Sequence, residues 1–119
     1  MKIRMSTRLV LVFNKVVIKI PLSRRGYLQG KNERDLHKKY KGKDLLGELI
    51  SERFGIVIMK TYPLLNRIPE YVVYGIKKEI PELNIPNCDL HNVKNWGRDE
   101  HCNPILIDYG INQYISTLY

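Results

Sequence analysis

The chain has 119 residues, of which 44% are hydrophobic and 27% charged, and a formal net charge of +8. This length and composition fit one folded domain and exclude both a disordered tract and a large multidomain enzyme. No apolar run approaches the roughly 20 residues of a membrane-spanning helix, no signal-peptide core follows Met1–Ser6, and Cys88 and Cys102 are too few for a disulfide framework. The expectation is a protein of the cytoplasm with reduced thiols and no membrane partner.

The charge is uneven along the chain. Residues 1–60 carry fifteen basic and five acidic side chains, whereas residues 61–119 carry five and seven. Arg24, Arg25, Lys31, Arg34, Lys38, Lys39, Lys41 and Lys43 form one basic block opposed only by Glu33 and Asp35. Such a block is either a solvated face or a surface for an acidic protein or nucleic-acid partner.

In chain order, Leu9–Phe13 and Val16–Ile20 are β-prone runs joined by Asn14-Lys15, which predicts a hairpin. Their near-continuous apolar character predicts a sheet covered on much of both faces. Lys19 is the exception in its strand: it must snorkel outward or meet an anion. After a polar stretch with Gly26 and Gly30, the order Asn32-Glu33-Arg34-Asp35, then Lys38, Lys39 and Lys41 before Gly42, predicts a helix whose charges suit its dipole. Leu36 and Tyr40 would face the protein body. Asp44–Gly55 fits a helical stripe as well as a strand; the reading preferred here is Leu45–Ser51, a turn at Glu52–Gly55, and a second strand over Ile56–Tyr62. Pro69 opens a second helix with Val72, Val73, Ile76 and Ile80 inward and Pro81 closing it.

The tail carries the chemistry-bearing residues. Phosphoryl transfer needs a cation on the nucleotide phosphates, a carboxylate near the acceptor hydroxyl, and a metal held by a carboxylate and an amide. Asp89-Leu90-His91, Asn95 and Ile107-Asp108-Tyr109-Gly110 provide the last two, and Lys19 in Val16-Val17-Ile18-Lys19 provides the cation.

In these motifs and their order the chain resembles the protein-kinase-like fold, in the version of aminoglycoside phosphotransferases and small phage-encoded kinase-like proteins. Asp89-Leu90-His91 with Asn95 is similar to their catalytic loop, Asp108-Tyr109-Gly110 to the metal-binding Asp-Phe-Gly, and Val16–Lys19 to the third-strand lysine motif. The resemblance implies an α+β fold: an antiparallel-sheet N-lobe with one helix over residues 1–62, and a strongly shortened helical C-lobe over 63–119. It implies ATP and Mg²⁺ as cofactors. Asp89 would accept the acceptor's proton, Asn95 and Asp108 would hold Mg²⁺, and Lys19, steadied by Glu33, would touch the phosphates. Met59-Lys60-Thr61-Tyr62 would lie beside the adenine. The protein would be an ATP-dependent phosphotransferase or a pseudokinase, of the kind phages and mobile elements encode. The sequence departs from the pattern in three places. Asn95 falls six rather than five residues after Asp89, no Gly-rich loop precedes the first hairpin, and nine residues follow Gly110, which implies a reduced form.

Two other classes compete with this reading. A non-catalytic basic protein would bind a host protein or nucleic acid through Arg24–Lys43. Cys88, His91, His101 and Cys102 would suit a zinc site, or His91, Asn92, Asn95 and His101 a metal-dependent nuclease.

Overall fold

The computed structural model describes residues 2–5, 7–81, 83, 85 and 90–110. Strands β1 (Lys2–Met5), β2 (Arg8–Val12), β3 (Val16–Pro21), β4 (Leu49–Arg53) and β5 (Ile56–Lys60) form one antiparallel sheet in the order β1-β2-β3-β5-β4. Helix α1 (Arg24–Lys39) lies between β3 and β4, and α2 (Glu70–Glu79) follows β5. A short hairpin of β6 (Trp96–Arg98) and β7 (Pro104–Leu106) closes the described chain. The protein is therefore α+β. Among the described residues, no helix is long and apolar enough to cross a membrane.

The β2–β3 hairpin turns at Asn14-Lys15 as the sequence predicts. Strand periodicity then sorts the side chains. Val10, Lys19 and Val57 are mutual register partners across β2, β3 and β5, as are Val12, Val17 and Met59, so these six share one face. Val57, Met59 and Lys19 on that face are buried, while Leu9, Leu11, Ile18 and Ile20 on the other are only half-buried. Val10, Val12 and Val17 on the first face are half-buried as well, so both faces are partly covered, and the fully buried positions Lys19, Val57 and Met59 lie on one of them. Most of the core is built by α2 and the tail: Val73, Ile76, Ile80, Leu90, Trp96, Leu106 and Tyr109 are all buried in one cluster with Leu36 and Leu46. Tyr40 packs against it as expected.

Two expectations are corrected. Helix α1 begins at Arg24, eight residues before the predicted start, with the Ser23 hydroxyl accepting from the Gly26 N–H. Gly26 and Gly30, expected in the polar stretch before the helix, each cost about 1 kcal/mol within one. Here they form the buried contact stripe: a Cβ at Gly26 would lie 2.2 Å from Thr7 O, and one at Gly30 would lie 2.5 Å from Gly55 O. Close backbone approach, not flexibility, explains both. The Leu45–Ser51 strand is likewise divided. Gly47 N–H donates to Leu106 O at 2.8 Å and Leu106 N–H to Leu45 O at 3.0 Å, so Leu45–Gly47 pairs with the tail and only Leu49 onward joins the sheet. The β4–β5 turn itself uses left-handed backbone at Phe54 and Gly55 (φ 55° and 82°), the requirement of a two-residue hairpin loop.

These glycine roles predict opposite outcomes. Gly30→Ala is expected to destabilise the protein by about 1–3 kcal/mol through overpacking. Gly75→Ala, mid-helix in α2 with nothing within 4 Å of the new Cβ, is expected to stabilise it by up to about 1 kcal/mol. Denaturant midpoints of the two variants check the pair; a Gly30→Ala midpoint equal to wild type would contradict the packing account.

Candidate functional site

Four charged side chains from four elements meet behind the inner face of the sheet. Arg8 is the first residue of β2, Lys19 lies near the end of β3, Glu33 is on α1, and Asp108 follows β7. Glu33 is fully buried, and both its oxygens are taken: Oε1 by Arg8 Nη1 at 2.5 Å and Oε2 by Lys19 Nζ at 2.8 Å. Arg8 Nη2 reaches Asp108 Oδ1 at 3.1 Å, and Lys19 Nζ lies 4.0 Å from the same oxygen. Lys19 also donates to Ile107 O at 3.1 Å. Two cations thus face two carboxylates, which is what a buried charge cluster requires to avoid an uncompensated desolvation cost. Burial works against the Arg8 charge, but Glu33 and Asp108 outweigh it and raise its pKa further, so the guanidinium stays charged.

The tail is fastened to α1 beside this cluster. Asn32 Nδ2 donates to Gly110 O at 2.9 Å, and a Cβ at Gly110 would meet Gln29 O at 2.6 Å and Glu33 Cγ at 2.9 Å. Glycine is needed there for close approach. Tyr109 is buried with its hydroxyl donating to Gly47 O at 2.9 Å; burial, then the nearby Glu33 carboxylate, push its pKa well up, so it stays neutral. Trp96 Nε1 donates to Leu90 O at 2.8 Å and braces the turn that carries Asn95. Trp96 is core, as are most of the residues around it.

In front of the cluster opens a cavity of about 1020 Å³. Its apolar walls include Val10, Val12, Val17, Met59, Leu64 and Ile107; Lys19, Asn95 and Asp108 line it together, and Lys60 and Lys94 are also among its lining residues. The Asp108 side chain is 40% exposed there. Met59, Lys60, Thr61 and Tyr62 line the same cavity. The N–H groups of Lys60 and Thr61 donate to Glu48 O and Lys15 O, so these two amides are spent within the protein.

Of the sequence-predicted site residues, Lys19 lies against both Glu33 and Asp108, and Asn95 shares the cavity with Lys19 and Asp108. Asp89 and Cys88 lie outside the described residues. Arg8 was missed. Its signal is strand periodicity: Arg8, Val10 and Val12 alternate onto one face, which places a guanidinium on the face of Lys19.

A magnesium ion at Asp108 would meet two cations already in place. The ion demands octahedral oxygen ligands at roughly 2.0–2.1 Å, whereas Asp108 Oδ1 already accepts from Arg8 and stands beside Lys19. The zinc and nuclease readings gain no support: among the described residues, no three His, Cys, Asp or Glu side chains gather as a metal site. His91 instead approaches Glu70 at 3.2 Å, and Cys102 is exposed.

The basic block is partly neutralised from within. Lys31 and Arg34 reach Glu52 at 3.0 and 3.1 Å, and Lys43 reaches Glu79 at 3.0 Å. Glu52 also accepts from Gly55 N–H at 2.8 Å, tying α1 to the β4–β5 turn. Burial pushes the Glu52 pKa up, but the Gly55 N–H, Lys31 and Arg34 together bring it below its ordinary value of 4.5. A lowered folded-state pKa contributes stability that is complete above the unfolded value and is lost as pH falls through the folded one. The stability gap between wild type and Glu52→Gln is therefore expected to be constant near neutrality and to close below about pH 4, read as thermal midpoints. A gap that persists in acid would contradict the assignment.

No protein-family profile matches the chain, and neither a curated protein nor a solved structure shows significant similarity to it.

Proposed function

We propose that this protein binds a nucleoside triphosphate in the cavity between the sheet and the tail, in the manner of a reduced kinase-like protein. The observation that carries the reading is the convergence of Lys19, Asn95 and Asp108 on one cavity, with three lysines against one carboxylate among the residues that line it. Lysines on low-dielectric walls concentrate positive potential where a polyphosphate would sit. The volume also suits such a ligand, since small-molecule sites typically span about 300–1,000 Å³.

The roles follow from placement. Lys19, fixed by Glu33 and by Ile107 O, presents its ammonium to the phosphates. The valines, Met59, Leu64 and Ile107 take the base by apolar contact, because the neighbouring Lys60 and Thr61 amides are already committed. Asp89 is the proposed proton acceptor if the protein transfers phosphate; its presence in sequence distinguishes a phosphotransferase from a pseudokinase only through the chemistry measured.

Titration calorimetry with ATP, ADP, AMP and adenosine tests the reading. Affinity is expected to rise with phosphate number, by about tenfold or more from AMP to ATP. Equal affinity for adenosine and ATP, or no heat with any of them, would refute it. Transfer or release of a labelled γ-phosphate, lost in Asp89→Asn, then separates an enzyme from a pseudokinase.

A further inference from the structure

We infer that Arg8 is a built-in counter-cation for Asp108 that bars a divalent metal from this carboxylate, so that the cleft takes its polyphosphate ligand without one; the ligand half of this inference rests on the function proposed above. Asp108 is the carboxylate of the cavity rim, and its Oδ1 stands 3.1 Å from Arg8 Nη2 and 4.0 Å from Lys19 Nζ. Neither cation can withdraw cheaply. Arg8 is buried and holds both oxygens of Glu33, at 2.5 and 3.5 Å. Lys19 is buried, and it is tied to the other side of the same carboxylate and to Ile107 O.

A metal on Asp108 would have to share its carboxylate with two fixed positive charges in a partly desolvated site, where like-charge repulsion is weakly screened. It would also compete with the charge-assisted hydrogen bond that Arg8 already gives Asp108 at 3.1 Å. The duty a divalent ion performs in phosphate binding, offsetting negative charge, falls to cations of the chain itself, with Lys19 and Lys94 among the residues that line the cavity. Arg8 has the geometry for its part, because a planar guanidinium can address two carboxylates at once whereas an ammonium is a point charge.

Two measurements on the full chain test this. The first is ATP affinity in EDTA and in excess Mg²⁺. The second is Mn²⁺ binding to the nucleotide-free protein, followed by electron paramagnetic resonance. Wild type is expected to bind ATP within about threefold under the two conditions and to take up no Mn²⁺, while in Arg8→Gln Mg²⁺ strengthens ATP binding by about tenfold or more. The wild-type comparison needs no variant to fold. ATP binding by wild type that depends tenfold or more on Mg²⁺, or Mn²⁺ uptake by wild type that Asp108→Asn abolishes, would overturn the inference. Should wild type bind no ATP under either condition and take up no Mn²⁺, while Arg8→Gln acquires Mn²⁺, the nucleotide reading falls but Arg8 stands as the group that excludes the metal.

Discussion

Glu33→Ala is expected to be the most damaging single change in the described chain, at about 3–5 kcal/mol, the usual cost of removing one partner from a buried ion pair. Glu33 is fully buried and satisfies two buried cations at once. Its loss leaves Arg8 with only half-exposed Asp108 and leaves Lys19 with Ile107 O and a carboxylate oxygen 4.0 Å away. Since small domains are stable by only about 5–15 kcal/mol, the variant should lose much of its margin or fail to fold. Denaturant or thermal unfolding decides it, with Glu33→Gln as the milder companion that retains volume. A Glu33→Ala midpoint within about 1 kcal/mol of wild type would show that the cluster is not a unit of the fold.

Lys19→Met should separate ligand binding from stability. Methionine keeps the apolar stem of the lysine, and Glu33 retains its bond to Arg8, so the fold is expected to survive with a loss of about 1–3 kcal/mol, the size of a charge-assisted hydrogen bond. Affinity for ATP is expected to fall by about tenfold or more, because the ammonium at the base of the cavity is gone. Adenosine affinity should change far less. The contrast between the two ligands is the informative quantity: a general disturbance of the cavity would weaken both alike, and an ATP affinity unchanged in a folded Lys19→Met would remove Lys19 from the phosphate site.

Local signals in the sequence were strong where chemistry repeats with strand or helix period. Asn14-Lys15 between two β-prone runs marked the β2–β3 hairpin, and Pro69 and Pro81 bracketed α2. A lone ammonium in an apolar strand signalled that Lys19 must snorkel outward or meet an anion, whereas its association with Glu33 and Asp108 was implied only by the kinase-like resemblance. Three features resisted the same reasoning. The first two turns of α1 looked like loop, because Gly26 and Gly30 lower helix propensity and only tertiary contact with Thr7 and Gly55 reveals their use. Leu45–Gly47 pairs with Leu106 across some sixty residues, a non-local contact that no window of sequence contains. Arg8 was overlooked because it precedes the apolar run, although it lies on the alternation that continues through Val10 and Val12. Its partner Asp108 is 100 residues away.

The claim on which the functional account depends is that ATP occupies the cavity formed by Val10, Val12, Val17 and Met59 in front of Lys19. Methyl-resolved NMR of the full chain titrated with ATP tests it most directly. The account predicts that the methyl signals of these four residues and of Ile107 move together with a single binding curve. Silence at those methyls, with changes confined to the amides of Arg24–Lys43, would place the anion on the basic surface of α1 and contradict the account.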